Sequence, residues 1–530
     1  MFAAALLGAC GSPAEGPKGP DGAGSGAGSG SAKPANGGDD SIDVPAIQIK
    51  GLYLEPRAMD GLGVPAAPLP KRATVDTEKK AFAAAKDPVT KQAHGVNAAS
   101  ELFRQSLKAD GDAKKQLLGD ARQILRDAVA SAGAKADETA LELLGRYELL
   151  LDDPASAEKV WAQLLTVAPT DAKAPQNRAF WALALLKQGK NAEALAVVKD
   201  QPLDKAPTLA YVTAWAKWRT GDGAGAWKAI TTAAAGWDKM EGSAGRDALK
   251  GDIAVIAARS GTSVADAITG AQPYFGKQPA DAYELVRTLA QTMHFAGRWT
   301  DALAADGKSL EMKTPANDKV SILFEQAQLS LPLDAPADVA KYTKAALDAI
   351  PACGSACTAA DAQNVVLATF NLAARFHGIY ASANDRRYYD AAHDMYALVV
   401  AKIQDTERRN TGVDYQNKLE LTMKNAKIGT GRYDQIDTSA IVDFHSQEIQ
   451  ACYEASLQQN GKLVGDMTLT LEVDQGGAVK GVATEPKAGT ADIAAVAGCV
   501  ADRAKSWKLP ARGSKGSTRV KVGYNLALRK

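Results

Sequence analysis

Gly297-Arg298-Trp299-Thr300-Asp301-Ala302 is the stretch whose reading decides the fold. A glycine can enter the left-handed region cheaply, so Gly297 ends one helix. Five residues on, Ala302 is small enough for the next helix to cross close to the first. The same step recurs at Gly189-Lys190-Asn191-Ala192-Glu193-Ala194 and from Gly221 to Ala226. Between about Thr77 and Gly429 the chain is rich in Ala and Leu, with Gly, Pro or Asp clusters between short segments. Apolar residues there recur at three and four spacing, the signature of amphipathic helices, and β-branched alternation is almost absent. A helical hairpin cannot bury its apolar face alone, so a series of them must stack.

Leu141-x-x-Leu144-Gly145, followed by Ala157, Trp161, Leu164 and Pro169, resembles the tetratricopeptide repeat, although Tyr147 stands one place early. A more degenerate hairpin reads from Asn364 to Tyr380 and from Tyr388 to Val400. The resemblance implies a tetratricopeptide-like α-solenoid over residues 77–429. Seven tryptophans fall in it: Trp161, Trp181, Trp215, Trp218, Trp227, Trp237 and Trp299. Trp181, Trp215 and Trp218 are candidates to line a concave protein-binding groove. The alternative is that these rings fill the space between hairpins.

Near Thr438 the period changes. Ser439 to Gln458 reads as one helix capped by Thr438 or Ser439. Leu469, Leu471 and Val473 alternate, Asp474-Gln475-Gly476-Gly477 is a hairpin turn, and Val479 to Ala483 returns. Ala491 to Ser506 reads as a second helix. Val520, Val522, Tyr524, Leu526 and Leu528 form a last strand. The expected end domain is therefore a small α+β unit, α-β-β-α-β, over residues 438–530. Its last strand is either an open edge that accepts a partner strand, with Lys521 and Asn525 on the approachable face, or a central strand that closes the core.

The chain has 530 residues, 62 Lys and Arg against 61 Asp and Glu, and a formal net charge of +1. No global field favours nucleic acid, and none is expected as a partner. No apolar run reaches the roughly 20 residues of a membrane-spanning helix. Leu7-Gly8-Ala9-Cys10 resembles the lipobox of bacterial lipoproteins, which implies lipidation at Cys10 and a signal over residues 1–10. No Lys or Arg precedes Cys10, a departure from such signals. Gly11 after the cysteine implies the outer membrane. The Gly, Ser, Pro and Ala that follow read as a flexible tether over residues 11–76, too poor in large apolar groups to offset ordering entropy.

Ile449-Gln450-x-Cys452-Tyr453-Glu454, the strand-turn-strand, Cys499 and Trp507-Lys508-Leu509-Pro510 resemble the end domain of myxobacterial gliding-motility proteins, a relative of the TonB C-terminal domain. Together with the lipobox and repeats, the chain resembles the adventurous gliding motility repeat lipoproteins. That resemblance implies a non-enzymatic scaffold on the periplasmic side of the outer membrane. It would be held there only by its lipid and would bind envelope proteins of a motility complex. The alternatives are a TonB-like adaptor engaging an outer-membrane transporter, or an accessory subunit of a cell-wall enzyme complex.

Helices on one face of the end sheet can bring Cys452 and Cys499 together as a disulfide, or leave two buried thiols. Cys353 and Cys357 suit a local loop disulfide better than a redox or zinc pair, being one residue further apart than C-x-x-C. Such bridges fit an oxidising compartment. His94, His294, His377, His393 and His445 are scattered and fit no catalytic or metal motif. No cofactor, metal or catalytic group is expected.

Overall fold

The computed structural model describes residues 40–56, 74–170, 172–236, 245–275, 279–403, 406–426, 433, 435–487, 493–512 and 516–529. Cys10, the glycine-rich stretch after it and Trp237 lie outside the described residues. Residues Asp40–Lys530 form one compact unit.

The first element is a strand, β1 (Asp40–Gly51). Helices follow: α1 (Val75–Ala84), α2 (Pro88–Ser106), α3 (Gly111–Ala132), α4 (Glu138–Leu150), α5 (Pro154–Val167), α6 (Ala174–Lys187) and α7 (Asn191–Val198). The run continues with α8 (Pro207–Arg219), α9 (Gly223–Ala235), α10 (Gly245–Arg259), α11 (Val264–Phe275), α12 (Pro279–Phe295) and α13 (Trp299–Glu311). Then come α14 (Ala316–Leu329), α15 (Pro336–Cys353), α16 (Ala359–Ala383), α17 (Arg386–Lys402) and α18 (Thr406–Asn425). The end region holds α19 (Gln435–Asp443), α20 (Ser446–Leu457), β2 (Gly465–Val473), β3 (Val479–Pro486), α21 (Ala494–Ala504) and β4 (Thr518–Leu528). The protein is mainly helical, with a small mixed sheet.

Most helices pack on their neighbours in sequence, and α4, α6, α8, α10 and α12 also pack on one another in that order. The turns that permit this share one backbone device. Asp152, Gly189, Gly221, Gly261, Gly297 and Asp334 all have positive φ, between 51° and 93°, and follow one another at intervals of 32 to 40 residues. After each, an N–H reaches five residues back to close the preceding helix: Asp153 to Glu148, Lys190 to Leu185, Asp222 to Lys217, Thr262 to Ala257, Arg298 to Met293 and Ala335 to Ser330. A small or β-branched residue then starts the crossing. Ala157, Ala194, Ala226, Ala267, Ala302 and Val339 are all fully buried. Side-chain caps fix the starts of several helices: Asp153 accepts from Ser156, Asp222 from Gly225, and Thr358 and Asp361 form a capping box.

The sheet departs from expectation in three ways. First, the tether expected over residues 11–76 contains β1. Ile42, Val44, Ile47 and Ile49 turn inward around a bulge at Pro45-Ala46, with Val44 and Ile49 buried. Second, the sheet has four strands in the order β1-β4-β2-β3. β4 is parallel to β1 and antiparallel to β2, so it is central and both its flanks are paired. An open edge at β4 is therefore excluded, and Lys521 and Asn525 cannot mark a strand-addition site there. Third, Ser439 to Gln458 is two helices, not one. The break falls at Phe444-His445, where the buried His445 ring stacks on Trp507 at 4.1 Å and its Nδ1 lies 3.0 Å from Glu448.

The end region does not have a core of its own. One apolar cluster joins Ala327, Val339, Phe376 and Tyr396 of the helices to Val44, Ile449, Leu469 and Val522 around the sheet. The disulfides Cys353–Cys357 and Cys452–Cys499 are both present, with Cα–Cα separations of 5.5 and 5.7 Å. The second joins α20 to α21. The loop it closes is worth up to about 4 kcal/mol in lost chain entropy.

Gly51 ends β1 with no room beside it: a Cβ there would lie 2.5 Å from the Tyr453 ring and 2.8 Å from Leu457. Gly51→Val should therefore destabilise the protein by about 1–3 kcal/mol through overpacking. An unchanged urea midpoint would mean that β1 is not anchored against α20.

Candidate functional site

The residues with the most unusual surroundings lie where α20 crosses the helix turns. Each turn leaves carbonyls at the C-terminal end of a helix, where the backbone carries partial negative charge. The Arg219 guanidinium, at the end of α8, is buried there. It donates to Leu186 O at the end of α6 at 2.7 Å and to Leu54 O. It also covers the rings of Tyr53, at 4.6 Å, and Trp215, at 5.6 Å. Arg259, at the end of α10, forms an ion pair with Glu454 and lies 3.4 Å from Ala451 O. Arg503 of α21 reaches Ala296 O at 3.4 Å. Burial pushes the Arg219 and Arg259 pKa values below the ordinary guanidinium range; Tyr53, Glu55 and Tyr211 oppose that shift at Arg219, and at Arg259 Glu454 opposes it while the Arg503 charge adds to it.

The contacts advance in register along α20. Its C-terminal end meets the first turns: Asn191 donates to Gln458 O at 2.6 Å, and Gln459 donates to Arg219 O. Its middle, Ala451 to Glu454, meets Arg259. Its start meets Gly297, where a Cβ would stand 2.8 Å from Glu448 Cα. The segment after β1 is threaded into the same seam. Leu52 N donates to Glu454 at 3.2 Å, and Tyr53 Oη donates to Leu186 O at 3.4 Å. The seam is thus a fixed joint between the N-terminal strand, the turns and the end region.

A second joint lies at the α16–α17 turn. Asp385 caps α17, pairs with Arg387 at 2.7 Å and accepts from Ala511 N at 3.0 Å. Arg387 also pairs with Asp334 at 2.8 Å, and Tyr388 donates to Asp334 at 2.9 Å. Burial still pushes the Asp334 carboxyl up to about 6, because those partners only partly offset desolvation. Within the helices, Arg287 bridges Asp306 and Glu325. Glu325 lies 3.5 Å from His294. Burial, followed by the adjacent Glu325 charge, pushes the fully buried Asp306 up to about 8. The His294 and Arg287 bonds hold Glu325 below the usual range against its own burial.

The structure does not gather the sequence-picked residues at a common surface. Trp215 is 1% exposed and belongs to the core, edge-to-face with Trp218 at 5.4 Å. It is therefore excluded as a groove-lining residue. Trp181 and Trp218 are half-buried and packed on the same core. Asn525 donates to Asp466 at 2.5 Å on the outer sheet face, and Lys521 is exposed four residues before it. Sequence reading missed Arg219, Arg259 and Glu454. The arginines' only local signal is a place in the last turn of a helix, and Glu454 reads only as part of the end-domain motif. Leu186 lies 33 residues from Arg219, but Leu54 lies 165 residues from it and Glu454 lies 195 from Arg259. Among the described residues no group of three or more His, Cys, Asp or Glu could hold a metal ion, and no helix is long and apolar enough to cross a membrane.

No protein-family model matches the sequence, and no curated protein matches it.

Arg259→Ala strands the Glu454 carboxylate in the seam and should cost roughly 3–5 kcal/mol, the usual penalty for breaking a buried pair. Replacing both, with Arg259→Met and Glu454→Leu, should restore much of that. A double variant no more stable in urea than the single one would show that the pair is not the cause. Titration gives a separate test. Asp306 and Asp334 have folded pKa values above the ordinary carboxylate value, so the stability tied to their protonated forms is present below about pH 4. It is lost as pH rises through about 6 for Asp334 and about 8 for Asp306. Asp306→Asn should therefore gain stability relative to wild type between pH 5 and pH 8, and a constant difference across that window would contradict the assignment.

Proposed function

We propose that the chain is a non-enzymatic, lipid-anchored periplasmic scaffold that binds envelope proteins of a spanning machine such as a gliding-motility complex. The observation that carries this reading is the recurrence of one helix-turn geometry. Six left-handed turn residues, from Asp152 to Asp334, each precede a tightly buried crossing. Stacked hairpins of that period form a tetratricopeptide-like solenoid, an architecture whose extended surface suits protein binding. The sheet and helices after Thr438 are read as the TonB-like end domain of the motility lipoproteins. Two disulfides fit an oxidising compartment, and Cys10 supplies the anchor. The adaptor alternative loses the last strand as its docking edge, because β4 is paired on both flanks, and the edges that remain carry Pro45 in β1 and Pro486 in β3.

Cys10→Ala, made in the full-length gene, should move the protein from the membrane pellet to the soluble periplasmic fraction. Continued sedimentation after detergent has removed protein partners would sink the anchor. Cross-linking of wild-type protein in intact envelopes should recover envelope proteins in fixed ratio to the bait. Recovery of the bait alone would sink the scaffold reading. In the purified protein, reduction should lower the melting temperature, and Cys452→Ser should reproduce most of that drop because the longer loop carries more entropy.

A further inference from the structure

Helices α15 and α17 lie side by side, and ion pairs bridge them at two levels. At one end Arg387 pairs with Asp334 at 2.8 Å, and at the other Lys402 pairs with Asp348 at 3.3 Å. Between these bridges the helices leave an open trough of about 860 Å³. It is roughly 20 Å long at 1.5 Å per residue. Its floor is apolar and low: Ala337, Ala340, Ala397 and Leu398 take part, with Ala337 and Ala397 exposed. Small side chains there let another backbone approach closely, and an apolar trough of this size is what a helical segment fills.

The two rims carry an excess of opposite charge. On the α15 side Lys341 and Lys344 outnumber Asp338, and on the α17 side Asp390 and Asp394 outnumber Arg387, which is engaged with Asp334. Lys341, Lys344, Asp390 and Asp394 are all exposed. Their present partners are near neighbours on the same helix: Lys341 with Asp338, Lys344 with Asp348, Asp390 with Arg386, and Asp394 with His393. Exposed pairs of that kind are worth well under about 1 kcal/mol, so they exchange readily for a partner's charges.

We propose that the α15–α17 trough is a docking site for an amphipathic helix of a partner protein, with an apolar stripe, acidic residues along one side and basic residues along the other. This deepens the scaffold reading and rests on it for the existence of a protein partner. A second copy presenting the same trough would meet concave surface with concave surface and leave both floors empty. A convex helix of mixed charge fills the trough and satisfies both rims.

The probe is a fluorescein-labelled helical peptide of about 18 residues, ~27 Å long, with a Leu and Ala stripe flanked by glutamates on one side and lysines on the other. Two controls carry glutamate on both sides or lysine on both sides. Reversing a helix in a trough exchanges its flanks, so only these like-charged controls discriminate. Anisotropy on the full chain should show the mixed peptide binding best. Ala397→Trp fills the trough from an exposed position and should weaken binding roughly tenfold or more with the melting temperature unchanged. The double variant Lys341→Glu, Lys344→Glu makes both rims acidic and should shift preference to the lysine peptide. Equal binding of all three peptides, no binding of any, or no response to either variant overturns the proposal. A dimer in sedimentation that Ala397→Trp dissolves also overturns it, in favour of a second copy. In envelope cross-linking, partners retained by Ala397→Trp would refute the trough while leaving the scaffold reading intact. Absence of partners from wild type would refute that reading itself.

Discussion

A buried arginine at the end of a helix is the interaction on which the rest of this protein depends. Taking a guanidinium out of water is costly, and the cost is met only where its donors find good acceptors. Arg219 finds one in Leu186 O at the end of α6, and Arg259 finds Phe295 O at the end of α12 and the carboxylate of Glu454. Because those carbonyls sit at the turns, the arginines draw the end region onto the turns. A four-stranded sheet with three helices is small for an independent core. Docked on this seam it shares the apolar cluster of α14 to α17 and gains the buried surface it lacks alone.

The N-terminal strand follows from the same constraint. β1 adds a fourth strand beside β4, and the residues just after it carry Leu52 N, Tyr53 and Leu54 O to the arginines and Glu454. Only a chain that passes through the seam can make both contacts at once. Gly51 is the point where it turns from sheet to seam, with the Tyr453 ring against it. This strand also removes the docking edge that β4 would otherwise offer. Of the sheet's two remaining edges, β1 carries Pro45 in a bulge, and β3 carries Lys480, Gly481 and Pro486 with its own irregular register. Charge, proline and bulges are the usual protections against unwanted strand pairing.

How far the fold was legible in the sequence depended on the range of the interaction. The Gly297 turn was readable because glycine in the left-handed region and a small residue five places on are local requirements. Asp152-Asp153 was readable as a repeat turn that caps a helix, but aspartate is common in caps and surface turns, so the left-handed conformation of Asp152 and the turn at Asp334 were not. Gly261 was hidden because its buried alanine, Ala267, comes one residue later than in the other turns. β1 was masked by Pro45, which interrupts the alternation of Ile42, Val44, Ile47 and Ile49. Its partner strand lies more than four hundred residues away. Both disulfides were readable, since one is local and the other joins helices of one small unit. The seam was not. An arginine in a last helical turn also suits the helix dipole in water, and only the fold decides which of them is buried.

The tryptophans show why large aromatics in such an array belong to the space between hairpins and not to a binding surface. Helices rich in alanine approach closely, and where their spacing opens, a large ring is needed to keep the interior dense. Trp161 stacks on Phe180 at 5.0 Å and meets Gly145 on the facing helix, and Trp215 lies beneath Arg219. In such an array aromatic rings mark places already filled. Space for a partner remains where two neighbouring helices leave a trough between them that no large side chain closes. Between α15 and α17 the floor is small and apolar and the rims are charged. Alanine, the residue that makes the hairpins cross closely inside the protein, makes the same kind of close approach possible from outside it.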